Sequence, residues 1–163
     1  MAMAQQTVAS RTGTRESGRL TVPVAAVRLA GALLALGVAT VHVADQGGIT
    51  DFAAPPSWIG WSYRIIEIAG VLTALALLLP WPRLAPRARF QAWASGLTWG
   101  AAVLLGMGPF VAYLASRTVG LPGDPGDVGN WGYWLGTVSL FVEAGLVALS
   151  VGMLAAWRRG EAA

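Results

Sequence analysis

The stretch SWIGWSYRIIEIAGVLTALALLL, residues 57–79, decides the fold. It is apolar almost throughout and matches the roughly 20 residues that carry a helix across a hydrocarbon core. The segment therefore reads as a transmembrane helix. Two charges, Arg64 and Glu67, sit inside it. Working outward, three more stretches have the same character, over about 22–44, 91–116 and 131–157. The expected fold is therefore all-α: a four-helix transmembrane bundle in a single domain over 21–159, preceded by a polar, disordered cytoplasmic tail over 1–20 and followed by a short tail over 160–163.

Composition agrees. Only 12% of the 163 residues are charged and 55% are hydrophobic, against about 25% charged in soluble domains, and the mean hydropathy is +0.58. The chain cannot cover its apolar surface with polar groups, which excludes a cytosolic enzyme, a disordered chain and a secreted disulfide scaffold. There is no cysteine, so thiolate metal sites and cysteine nucleophiles are excluded. All eleven basic residues are arginine. They lie scattered at the ends of apolar segments, without the continuous patch that nucleic-acid binding requires.

Arginine placement orients the bundle. Arg11, Arg15, Arg19 and Arg28 lie at or near the start of span one, Arg83, Arg87 and Arg89 lie between spans two and three, and Arg158 and Arg159 follow span four. The other two connections, DQGGITDFAAPPS (45–57) and RTVGLPGDPGDVGN (117–130), hold Arg117 alone beside Asp45, Asp51, Asp124 and Asp127. Both termini are expected in the cytoplasm of a bacterial plasma membrane, with two Gly/Pro-rich loops outside. Trp58, Trp61, Trp131, Tyr133 and Trp134 fall at the outer interface, and Trp81, Trp93 and Trp157 at the inner one. The apolar part of span one exceeds the roughly 7–15 residues of a signal-peptide core, so it is read as a retained helix.

Charges within the hydrocarbon are costly and mark function or specific packing. Glu67 and Glu143 lie near the expected midplane. Arg64 shares a helix face with Glu67 at i, i+3 spacing, and His42 lies near the outer end of span one. Small-residue stripes accompany them: Gly31, Ala35, Val38 and His42 on span one; Gly60, Arg64, Glu67, Val71 and Ala74 on span two; Gly96, Gly100, Val103 and Met107 on span three; Gly132, Gly136, Ser139, Glu143 and Ser150 on span four. Such stripes let membrane helices approach closely. Pro109, with Gly106 and Gly108, is expected to kink span three and open space in the outer half. The expectation is a polar core of Arg64, Glu67 and Glu143, with His42, Tyr63 and Tyr113 nearby. One arginine does not neutralise two carboxylates, so one Glu carries a proton, or a proton, cation or water cluster shares the site.

Plainer readings stand beside this one. Arg64 and Glu67 also read as a structural ion pair that fixes helix register. Glu143 then completes that network, and His42 is a hydrogen-bonded structural residue. The loop residues Asp45, Asp124 and Asp127 read as solvated turn formers, and Arg117 as a cap on span three or a partner of Asp124 or Asp127. No EF-hand spacing, GxSxG, HExxH or P-loop is present. A single histidine cannot give bis-histidine haem ligation. No metal site is indicated, the sequence leaves any cofactor open, and the chain reads more as a non-enzyme.

The segments HVADQGG (42–48), YRIIEIAG (63–70), SRTVGLPG (116–123) and GNW with SLFVE (129–131, 139–143) resemble an uncharacterised family of small four-span integral membrane proteins found in actinobacteria. The resemblance covers about 24–155. It implies the topology and singles out His42, Glu67, Arg117 and Glu143, without implying a reaction. Arg28 and the EIAG segment are also distantly similar to DoxX-like proteins, a four-span group of redox membranes. Three functions remain open. The leading one is an accessory or structural subunit that its polar core holds together, partnered by lipid and by membrane proteins or further copies of itself. The second is a small proton- or cation-handling transporter or sensor using Glu67 and Glu143. The third is a quinone- or lipid-binding redox accessory.

Overall fold

A computed structural model describes residues 23–50, 57–80 and 87–160. The expected N-terminal tail, Asp51, Trp81, Arg83 and residues 161–163 lie outside them. Among the described residues four α-helices make up the fold: α1 (Val24–Asp45), α2 (Ser57–Leu78), α3 (Ala88–Thr118) and α4 (Trp134–Arg158). All four are long and apolar enough to cross a membrane. A single 3-10 turn, Pro125–Asp127, interrupts the α3–α4 connection.

Two boundaries differ from the hydropathy reading for physical reasons. Helix α3 begins three residues before 91 and ends two after 116, because hydropathy marks the part of a helix that suits lipid, while backbone hydrogen bonding continues past it. Helix α4 starts at Trp134 instead of 131. Gly129, at φ +80°, and the bond from Trp131 N–H to Gly129 O at 3.0 Å hold the preceding residues in a turn, and Tyr133 is extended. Helix α3 stops where the N–H groups of Val119 and Gly120 both reach the Ala115 carbonyl at 2.9 Å. Gly120 does so at φ +82°, the left-handed geometry that favours glycine at a helix end.

The helices run up and down around a ring, α1 against α2 and α4, α3 against α4 and α2, with α1 and α3 also touching across the middle. Large apolar side chains face outward, among them Leu33, Ile65, Leu72, Leu104 and Phe141. The interior is built from Ala32, Ala35, Ala74, Leu77, Ala102 and Leu146. This inside-out distribution suits a lipid surround. Lipid gives apolar faces no reason to bury themselves, so close packing of small residues holds the helices together.

Two crossings show how close the backbones come. A Cβ on Gly70 of α2 would stand 2.8 Å from the Ala35 carbonyl oxygen of α1, and a Cβ on Gly106 of α3 would stand 2.8 Å from the Glu143 carbonyl oxygen of α4. The stripes expected on α1 and α4 are buried, apart from Gly132. On α2 the position expected for Val71 is taken by Gly70, and Val71 is exposed. On α3 the interior face is Thr98, Ala102, Leu105, Gly106 and Pro109, and Met107 is exposed. The rotation of α3 follows from Trp99, whose ring lies over Gly31 in the half of the bundle near Arg28 and fills it.

Arg28 supplies an unexpected joint at that same end. Its guanidinium donates to the carbonyls of Leu77 at 2.6 Å, Leu79 at 3.1 Å and Ala76 at 3.4 Å. These carbonyls stand in the last turn of α2 and just past it, where a cation is favoured by the helix dipole. Ala at Gly106 should cost about 1–3 kcal/mol through overpacking. The same change at Gly100, where a Cβ meets nothing within 4 Å, should be neutral or stabilising. Thermal denaturation of the two variants in detergent checks the contrast.

Candidate functional site

In the half of the bundle away from Trp99, the four helices enclose a cavity of about 430 Å³. Its lining runs from the helix ends down to Glu143 on α4 and Pro109 on α3. Glu143 lies nine residues into α4, about 14 Å from its start at 1.5 Å per residue. Helix α3 continues through Pro109, which has no N–H to offer the Leu105 carbonyl one turn back.

Eight of the ten residues singled out from the sequence line this one cavity: His42, Asp45, Tyr63, Tyr113, Arg117, Asp124, Asp127 and Glu143. The loop residues therefore belong to the same site as the membrane-embedded ones. Arg64 and Glu67 are not among the lining residues, so the expected trio of Arg64, Glu67 and Glu143 is divided. Arg64 Nη1 bonds Glu67 Oε2 at 2.6 Å. Gln46, the C-cap of α1, donates to Glu67 Oε1 at 2.7 Å. Arg64 also reaches the Gly48 carbonyl at 3.3 Å. These bonds hold Glu67 between α1 and α2.

Glu143 is left without a cation. It is 1% exposed. Its Oε1 is hydrogen-bonded to the Ser139 hydroxyl one turn back, and its Oε2 is buried with no partner. An orphaned carboxyl oxygen is expensive in a low-dielectric interior, so its retention at the end of a cavity asks for a ligand, a proton or water. His42 Nδ1 donates to the Val38 carbonyl at 2.9 Å, which leaves Nε2 as the ring nitrogen available to the cavity. The His42 ring meets Tyr63 edge-on at 5.3 Å. Gly136 makes the room that Tyr113 occupies, since a Cβ there would collide with the phenol ring.

The mouth is held by charge-assisted bonds. Asp45 accepts from the Tyr63 hydroxyl at 2.8 Å and from the Tyr133 hydroxyl at 2.5 Å, tying the end of α1 to α2 and to the start of α4. Arg117 is buried and bonds Asp127 Oδ2 at 2.6 Å. Its guanidinium lies 4.7 Å from the Tyr113 ring centre, within the range of a cation–π contact. Leu121-Pro122-Gly123-Asp124 forms a turn with both cross-chain bonds made. Gly123 at φ +81° follows Pro122, the pairing that a type II turn requires. Trp58 Nε1–H donates to the Pro122 carbonyl at 3.1 Å, closing the α3–α4 connection onto α2.

Sequence reasoning assigned Trp58 and Tyr133 to the interfacial belt and Ser139 to a packing stripe, and gave Gln46 no role. The partners of Gln46, Trp58 and Tyr133 lie tens of residues away, so no local spacing marks them, whereas Ser139 stands one helical turn from Glu143, an i, i+4 spacing that the sequence does show. Among the described residues no group of three or more His, Cys, Asp or Glu is placed to hold a metal ion. Compared with family models, curated proteins and solved structures, the chain matches none.

The bond to Asp45, reinforced by burial, pushes the Tyr133 phenol up to about 12 from its ordinary value near 10. The neutral phenol is the form that makes the bond. Its contribution to stability should be complete below pH 10 and should be lost as pH rises toward 12. Ultraviolet titration should show the Tyr133 phenol, identified by its loss in Tyr133→Phe, titrating late and moving back toward 10 in Asp45→Asn.

Proposed function

We propose that this chain is an integral protein of a bacterial plasma membrane, kin to the four-span actinobacterial group, and that it takes up a proton or cation at Glu143 through a cavity facing the outer side. The observation that carries the reading is the buried, unpartnered Oε2 of Glu143 within a cavity reached from the helix ends. Glu67 is removed from the role by its bonds to Arg64 and Gln46. The opposite half of the bundle is filled by Trp99, Leu77 and small residues, which favours a carrier open to one side at a time over an open channel. Placement of both termini in the cytoplasm is supported by the arginines flanking the other end.

The accessory-subunit reading, with a membrane-protein partner or a further copy of the chain, finds support in the Arg64–Glu67–Gln46 group, which is what a packing-only polar core looks like. It accounts for the α1–α2 contact and leaves Glu143 unexplained. The quinone- or lipid-binding reading competes for the same cavity, and ligand charge separates the two.

Reconstituted into liposomes with an internal pH dye, the protein should exchange protons or a cation across the membrane. Glu143→Gln should abolish the exchange and Glu67→Gln, where it folds, should retain most of it. Equal exchange by wild type and Glu143→Gln removes the reading. The chain has no cysteine of its own, which permits a direct test of orientation. A single cysteine at Val128 should react with an impermeant maleimide added to intact cells, and one at Arg158 only after lysis.

A further inference from the structure

We propose that the cavity is a binding site for an amphipathic organic ammonium ion, whose charged nitrogen pairs with Glu143. The inference rests on the reading of Glu143 as the working group and goes on to name the class of ligand. Four carboxylates line the cavity, on Asp45, Asp124, Asp127 and Glu143, against a single guanidinium, that of Arg117. Arg117 is itself taken up by Asp127, and Asp45 by two phenols. The remaining lining is therefore anionic, and its deepest member is the acid whose Oε2 has no partner at 1% exposure.

The geometry selects among cations. The carboxylates are too dispersed to surround a bare metal ion. The space, about 430 Å³, falls in the range of sites for small organic molecules. Tyr63, Tyr113, Tyr133 and Trp58 contribute aromatic walls, and aromatic faces attract ammonium groups as well as apolar carbon. Ile66 and Leu135 add purely apolar surface. An acid at the end of an aromatic and aliphatic pocket suits a ligand with a cationic head and a hydrocarbon body.

The probe is benzyltrimethylammonium, paired with neopentylbenzene, its uncharged isostere, and with phenylacetate. Binding is read by isothermal titration calorimetry on protein in detergent. The ammonium ion should bind saturably, at least tenfold more tightly than the isostere or the anion. Glu143→Gln should weaken it at least tenfold, and Glu67→Gln should leave it within about twofold. Should Glu143→Gln fail to fold, Asp124→Asn at the mouth replaces it, with a drop in affinity of several-fold and a weaker dependence on salt. Preference for the isostere or for phenylacetate overturns the inference, as does an affinity unchanged in both variants. Proton exchange at Glu143 without ammonium binding would overturn this inference and leave the proposed function standing. Loss of both would remove the two together.

Discussion

In a hydrocarbon surround, a buried charge must find its partner inside the protein, and Glu143 is where the described spans leave a carboxylate oxygen without one. Arg64 and Gln46 satisfy both carboxylate oxygens of Glu67 between α1 and α2. Arg28 is spent on the open carbonyls of α2, and Arg117 on Asp127 and the ring of Tyr113. The Ser150 hydroxyl and Gln46 Oε1 are also buried without a partner, as is Arg117 Nε, whose guanidinium is paired through Nη1, but a neutral oxygen costs far less to leave unmatched than a carboxylate. Glu143 is the one acid in the membrane-embedded core that keeps an open oxygen, and it keeps it toward a cavity.

The two halves of the bundle divide the work. Near Arg28 the helices meet through glycine, alanine and the Trp99 ring, which fixes their spacing. Toward Asp45 the same helices leave a cavity lined by tyrosines and charged groups, and the bonds of Asp45, Arg117 and Trp58 hold the mouth. The close approach of Gly106 to the Glu143 backbone links the two. The contact that positions α4 against α3 also fixes the height of the acid, so packing and the site share one turn of helix.

Much of this was legible in the sequence. Hydropathy located all four helices, because lipid imposes length and composition on each span independently. The identity of the polar residues was legible too, since any charge within such spans stands out. Their grouping was not. The i, i+3 spacing of Arg64 and Glu67 reveals their mutual bond, but nothing local to α2 or α4 says whether Glu67 and Glu143 meet. That depends on how each helix is rotated, and on α3 the expected face was off because Trp99, a large residue, takes the interior position that a small-residue stripe was expected to hold. The convergence of Asp45, Tyr63 and Tyr133 required pairing the ends of three elements, and loop composition alone showed only turns.

The most direct measurement of the central claim is infrared difference spectroscopy of the carboxyl groups as pH is varied. The account predicts one membrane-embedded carboxyl that gains and loses a proton, absent from Glu143→Gln and unchanged in Glu67→Gln. A signal that survives Glu143→Gln and disappears in Glu67→Gln would contradict it.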